Sequence, residues 1–93
     1  MIQAFKDEKT ELVFKGKCPK GFPADIFKVA RRKRRAVDAA AILDDLNAPP
    51  GNRLEALRGD RSGQHSIRVN DQYRVCFRWT RNGPTDVEIV DYH

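Results

Sequence analysis

The sequence has no apolar run long enough to span a bilayer. No charged-then-apolar leader opens it, because Met1-Ile2-Gln3-Ala4-Phe5 gives way at once to Lys6-Asp7-Glu8-Lys9. Cysteine is limited to Cys18 and Cys76 and histidine to His65 and His93, with no spacing that matches a zinc or redox motif. A reduced, cytoplasmic protein with two free thiols is the expectation. There is no Gly-rich phosphate loop and no Ser/His/Asp order that suggests a triad. No metal and no cofactor is expected, and nucleotide-driven chemistry has no motif to rest on.

What is present is positive charge. The 93 residues carry 18 Lys plus Arg against 13 Asp plus Glu, a net charge of +5. Such a balance on one small domain, residues 1–93, suits a polyanionic partner. The excess is spread along the chain, so placement on secondary structure must locate any site.

Residues 1–5 alternate as a short strand. Asp7 is placed to cap a helix over roughly residues 8–14. Residues 15–23 hold two Gly, two Pro and three Lys, a composition that breaks regular structure. Residues 6–22 are therefore expected to be the least stable part of the chain, ordering against a partner. A long helix is predicted from Pro23 to about Leu46, with Ile26, Val29, Ala30, Val37, Ala40 and Ala41 on one face. At ~1.5 Å per residue it would be ~30 Å long. Its basic run, Arg31-Arg32-Lys33-Arg34-Arg35, is either a solvated face or a contact to RNA phosphates, ribosomal RNA included.

Strands are predicted over residues 53–58, 64–69, 73–80 and 85–90, with turns at 59–63, 70–72 and 81–84. The order implies an α+β fold: an N-terminal strand and two helices packed on one face of a largely antiparallel, twisted sheet. Alternation sends Ile67, Val69, Tyr73, Val75, Phe77 and Trp79 to the core and Ser66, Arg68, Arg74 and Arg78 to an open second face. Several guanidinium groups on one face make a surface for phosphates.

Metal-free RNA cleavage fits such a surface, because RNA carries its own nucleophile, the 2′-hydroxyl. The reaction needs cations around the phosphate, a base, and an acid for the leaving 5′-oxygen. Asp91 and His93 end the last strand and supply titratable groups, and Tyr92 could stack on a base. Parity puts Asp91 and His93 nominally on the core side, so the strand must twist, bulge or end before Asp91 for them to reach the arginines. A frayed carboxy terminus and arginines merely paired with acids are the ordinary alternatives.

Leu57-Arg58-Gly59-Asp60-Arg61, Ser66-Ile67-Arg68-Val69, Tyr73-Arg74-Val75-Cys76-Phe77 and the terminal Asp91-Tyr92-His93 resemble the HigB toxins of the RelE/ParE superfamily, GraT-like members above all. The Met-Ile-x-x-Phe opening and the stretch from Pro49 to Leu57 agree with it. The resemblance implies a RelE/ParE-like fold and the toxin half of a type II toxin–antitoxin pair. It further implies a ribosome-dependent messenger endonuclease, with Arg58, Arg68, Arg74, Asp91, Tyr92 and His93 as catalytic residues. Arg31 to Arg35, Arg61 and Arg78 would then meet RNA or the ribosome. The implied partners are a HigA-like helix-turn-helix antitoxin, the 70S ribosome and messenger, with operator DNA reached only through the antitoxin and no membrane. Some relatives carry His where this chain has Glu55, so the resemblance assigns no base there. A ParE-like inhibitor of DNA gyrase and a plain RNA-binding module are the competing readings.

Overall fold

Asp7 starts the first helix: its Oδ1 accepts the Thr10 amide at 2.7 Å. This helix, α1, spans Glu8–Phe14 and puts Val13 and Phe14 in the core. It stops where Gly16 takes φ +89°, a conformation open to glycine, and the Gly16 and Lys17 amides return to the Val13 and Leu12 carbonyls. The computed structural model describes residues 1–91.

The second helix, α2, covers Ala24–Ala39 and buries Ile26, Ala30 and Val37. It is shorter than its composition predicts. Ala40 turns to ψ 128°, and a separate 3-10 turn follows over Leu43–Asn47. The cause is Asp45, whose Oδ2 accepts the amides of Ala41 and Ile42 at 2.9 and 3.2 Å. A side-chain acceptor there competes with continued helix and starts a new turn. Leu46 still reaches the core, through that turn.

Four strands form one antiparallel sheet in sequence order: β1 Glu55–Ala56, β2 His65–Arg68, β3 Tyr73–Thr80 and β4 Gly83–Asp91. β1 is two residues long rather than six. It follows Arg53, held left-handed at φ 46°, and precedes a 3-10 turn over Gly59–Arg61. The β3–β4 hairpin closes at Thr80 and Gly83, so Gly83 and Pro84 belong to the strand and not to the turn. Between Cys76 and Arg78 the register shifts, and β4 gains one residue there. Asp86, at φ 52°, lies in that bulge. Val87 beyond it lies fully buried, and Ile89 packs against the core.

The amino-terminal segment runs parallel to β4 through one bridge, Phe5 to Val87. Gln3, Lys6 and Val87 amides make the supporting bonds, and the buried Thr10 hydroxyl accepts the Ile89 amide at 3.0 Å. The outer edge of β4 is thus satisfied by backbone and one side chain instead of standing open. Ile67, Val69, Val75 and Phe77 of the predicted core row are buried, while Tyr73 and Trp79 pack at its margin.

The second sheet face is not open, as alternation had suggested. Ser66 and Cys76 lie on it with 0% exposure. Long side chains close over them, because a guanidinium buries its stem while keeping its charge near water.

Candidate functional site

Arg68 and Arg74 are directly opposite partners in the β2–β3 register. Like charges so placed repel, and the fold secures each differently. Arg74 is nearly buried, its side chain 13% exposed. Its Nε donates to Ser66 Oγ at 2.7 Å and its Nη2 to the Arg53 carbonyl at 2.8 Å. Glu55 Oε2 stands 3.8 Å from the same Nη2. Arg68 pairs through Nη2 with Asp71, which is 99% exposed and so a weak partner. Each guanidinium thus has one carboxylate neighbour, and both of those carboxylates are more than half exposed.

A third cation joins from α2. Lys33 leaves the basic run and donates through Nζ to Asn52 Oδ1. Asn52 is fully buried and fixed by its own amide, which donates to the Leu46 and Ala48 carbonyls at 3.2 Å each. Burial first, then repulsion from Arg32 and Arg68, pushes the Lys33 ammonium below the ordinary lysine range. Asn52 and Arg53 thus connect Lys33 to Arg74 through successive residues of one turn.

The other arginines of this face stand apart. Arg78 lies four residues along β3 from Arg74, ~13 Å at ~3.3 Å per residue. Its Nε is 3.6 Å from Asp86 Oδ2. Arg61 Nη1 donates to Gln64 Oε1 at 3.2 Å and to Glu88 Oε1 at 3.1 Å. Arg58 is exposed just before the 3-10 turn. β1 runs antiparallel to β2, so the chain moves away from Arg68 between Glu55 and Arg58. Arg61, Glu88 and Arg74 surround the Cys76 thiol, which burial above all pushes up.

Within the basic run, Arg31 stacks on the Phe27 ring at 5.9 Å. Arg31, Arg32 and Arg35 line a shallow groove of about 360 Å³ with Phe27 and Lys28. Arg34 is half-buried and lines neither this groove nor the Lys33 turn.

Asp91 comes to the same end of the sheet as Arg68 and Arg74. It pairs with Tyr73 in the register and so keeps core-side parity. The expected break before Asp91 is absent, since β4 pairs through it and the bulge lies at Asp86, five residues earlier. Gln72 Nε2 donates to Asp91 Oδ2 at 3.0 Å. Asp91 also borders a cleft of about 280 Å³ with Lys9, Phe22 and Tyr73. Tyr92 and His93 lie outside the described residues. Among the described residues no group of His, Cys, Asp or Glu is arranged to hold a metal ion. No helix of the described residues is long and apolar enough to cross a membrane.

Sequence reasoning missed Asn52 and Arg53, the turn that braces both Lys33 and Arg74. Arg53 acts through its carbonyl, which no side-chain pattern announces. Asn52 had one available signal: a polar residue after Pro-Pro-Gly is a candidate for bonding its own backbone.

The model of the family described as RelE-like toxin of type II toxin-antitoxin system HigB matches residues 3–93. The chain belongs to the HigB-like toxin family. It is the toxin of a type II toxin–antitoxin system, and an antitoxin is its partner. Toxin HigB-1 of Vibrio cholerae is 42% identical to this toxin over 80 residues, covering 85% of this chain and 84% of that one. Endoribonuclease HigB of Proteus vulgaris is 30% identical over 93 residues, 100% of both chains. The α+β arrangement, two helices on a four-stranded antiparallel sheet, is the RelE-like fold that the family carries.

Proposed function

We propose that this toxin is an endoribonuclease that cuts messenger RNA on the ribosome by metal-independent attack of the 2′-hydroxyl. The observation that carries the proposal is the cross-strand pair Arg68 and Arg74, two arginines set opposite each other in the register on one sheet face, where an anionic phosphate suits both. As the 2′-oxygen bonds to phosphorus, negative charge builds on the non-bridging oxygens. Arg74, held by Ser66 and Arg53, is preorganised to meet that charge and has N–H groups left over to do so. Arg68 takes the opposite side of the same phosphate.

The bond from phosphorus to the 5′-oxygen then breaks, and that oxygen needs a proton. His93 carries one proton transfer; Asp91 stands on the Tyr73 row and not with the arginines, so its share in the other is taken from the end of the sheet, and Tyr92 stacks on a neighbouring base. Arg58, which stands apart from the pair before the 3-10 turn, assists by reaching the message further along. Arg61, Arg78 and the groove on α2 meet ribosomal RNA through phosphate contacts that carry no sequence preference. A HigA-like helix-turn-helix antitoxin neutralises the toxin and carries the pair to operator DNA, and the site of action is the cytoplasm.

Deletion of His93 tests the reading. The truncated protein is expected to fold with unchanged circular dichroism and to lose messenger cleavage, measured by mapping messenger ends on translating ribosomes. Undiminished cleavage by the truncation would remove the tail from the mechanism. Poisoning of DNA gyrase with ribosome-bound message left intact would overturn the nuclease reading as a whole.

A further inference from the structure

Lys33 sits in the basic run of α2 but does not share its surroundings. Of its neighbours in the run, Arg31, Arg32 and Arg35 line the groove beside Phe27, and Arg34 is half-buried outside it. Lys33 instead donates to the one buried asparagine of the chain's Pro-Pro-Gly-Asn turn. That turn packs against β2, and its next carbonyl receives the Arg74 guanidinium. A buried amide whose nitrogen is fixed by two carbonyls can present only its oxygen, so Asn52 holds the ammonium in one place. The fold thereby carries a lysine from the helix layer to the arginine pair at the end of the sheet.

Placing a third cation there has a cost, against which Asn52 supplies a neutral acceptor and not a countercharge. Burial penalises the Lys33 charge most, and Arg32 and then Arg68 repel it. No carboxylate pairs with Lys33 among the described residues. A cation held at such a position by a buried amide is arranged to receive an anion from outside.

We infer that Lys33, positioned by Asn52, binds the messenger phosphate adjoining the scissile one, so that helix and sheet together grip two successive phosphates. This rests on the nuclease reading above and deepens it. It separates Lys33 from Arg31, Arg32 and Arg35, which line the Phe27 groove that Lys33 does not line. It also gives the site a polarity along the strand: the arginine pair marks the phosphate that is cut, and Lys33 fixes which way the chain passes.

The experiment is a cycle between protein and substrate on programmed ribosomes. Wild type, Lys33→Gln and Arg32→Gln are each given message with ordinary phosphates, or with one neutral methylphosphonate on either side of the cleaved linkage. Lys33→Gln is expected to raise KM about tenfold on ordinary message, the loss of one charge-assisted hydrogen bond, with a smaller change in kcat. The salt dependence of binding should flatten by about one phosphate contact. On one of the two methylphosphonate messages the Lys33→Gln effect should vanish, while that of Arg32→Gln persists. Lys33→Arg, which keeps the charge, should recover most of the affinity.

If Lys33→Gln costs the same on all three messages, the ammonium meets something other than the messenger and the inference falls. That outcome leaves the nuclease reading standing, because wild-type cleavage is read in the same assay. Absence of wild-type cleavage would instead sink the nuclease reading itself.

Discussion

Replacing Arg74 by alanine separates what this residue does for the fold from what it does for the reaction. Its side chain is 13% exposed and donates to a hydroxyl and a carbonyl. Ser66 is fully buried, so its Oγ would lose its donor in a place water does not reach. Leaving a buried polar group unpaired costs ~1–3 kcal/mol. For a domain of this size that lowers Tm by roughly 4–24 °C, at about 4–8 °C per kcal/mol. The protein should remain folded at 25 °C, because stabilities of about 5–15 kcal/mol are usual. Removal of one preorganised donor from a developing oxyanion costs about 10²–10³ in rate. Arg74→Ala is therefore expected to melt early and to cut messenger ~10²–10³-fold more slowly per folded molecule. Arg74→Lys keeps the charge but cannot bond Ser66, Arg53 and a phosphate together, so an intermediate loss is expected. Ser66→Ala removes one anchor and leaves the guanidinium, and should cost less than tenfold. The assay is single-turnover cleavage of ribosome-bound message, with thermal melts on the same samples. A protein that melts as early as worked out here, yet cuts at the wild-type rate per folded molecule, would refute the reasoning.

Arg68→Ala should show the reverse balance. Its partner Asp71 is almost fully exposed, so stability should change by no more than about 0.5 kcal/mol in urea unfolding while cleavage falls ~10²-fold. The Cys76 thiol gives a pH signature. Burial raises its folded-state value above the ordinary thiol value of about 9. Above that pH the unfolded chain has lost the proton while the folded chain retains it, so stability should fall as pH rises from about 9 toward the folded value. Urea unfolding at alkaline and neutral pH should show a larger alkaline loss for wild type than for Cys76→Ala. Equal losses would show that Cys76 does not carry the effect.

The sequence by itself determined the elements whose signals are local. Asp7 and Gly16 bracket α1 within ten residues, and the alternation from Ile67 to Trp79 sorts core from charged face. It also placed Arg68 and Arg74 together, since a short polar turn between two alternating strands leaves few possible registers. It misjudged the end of α2, because alanine favours helix while a single carboxylate, Asp45, decides otherwise. Only the tertiary structure could decide the rest, since the deciding partners are remote in the chain. Arg78 is four residues from Arg74, yet it belongs with Asp86 at the bulge. Lys33 lies among arginines in sequence, yet Asn52, 19 residues on, draws it toward the sheet. Asp91, by contrast, keeps the core-side row that parity with Val87 and Ile89 had already given it, because the bulge at Asp86 lies before Val87. Periodicity gives the row a residue stands in. Which charges meet depends on where the folded backbone brings carbonyls, amides and carboxylates that no repeat in the sequence connects.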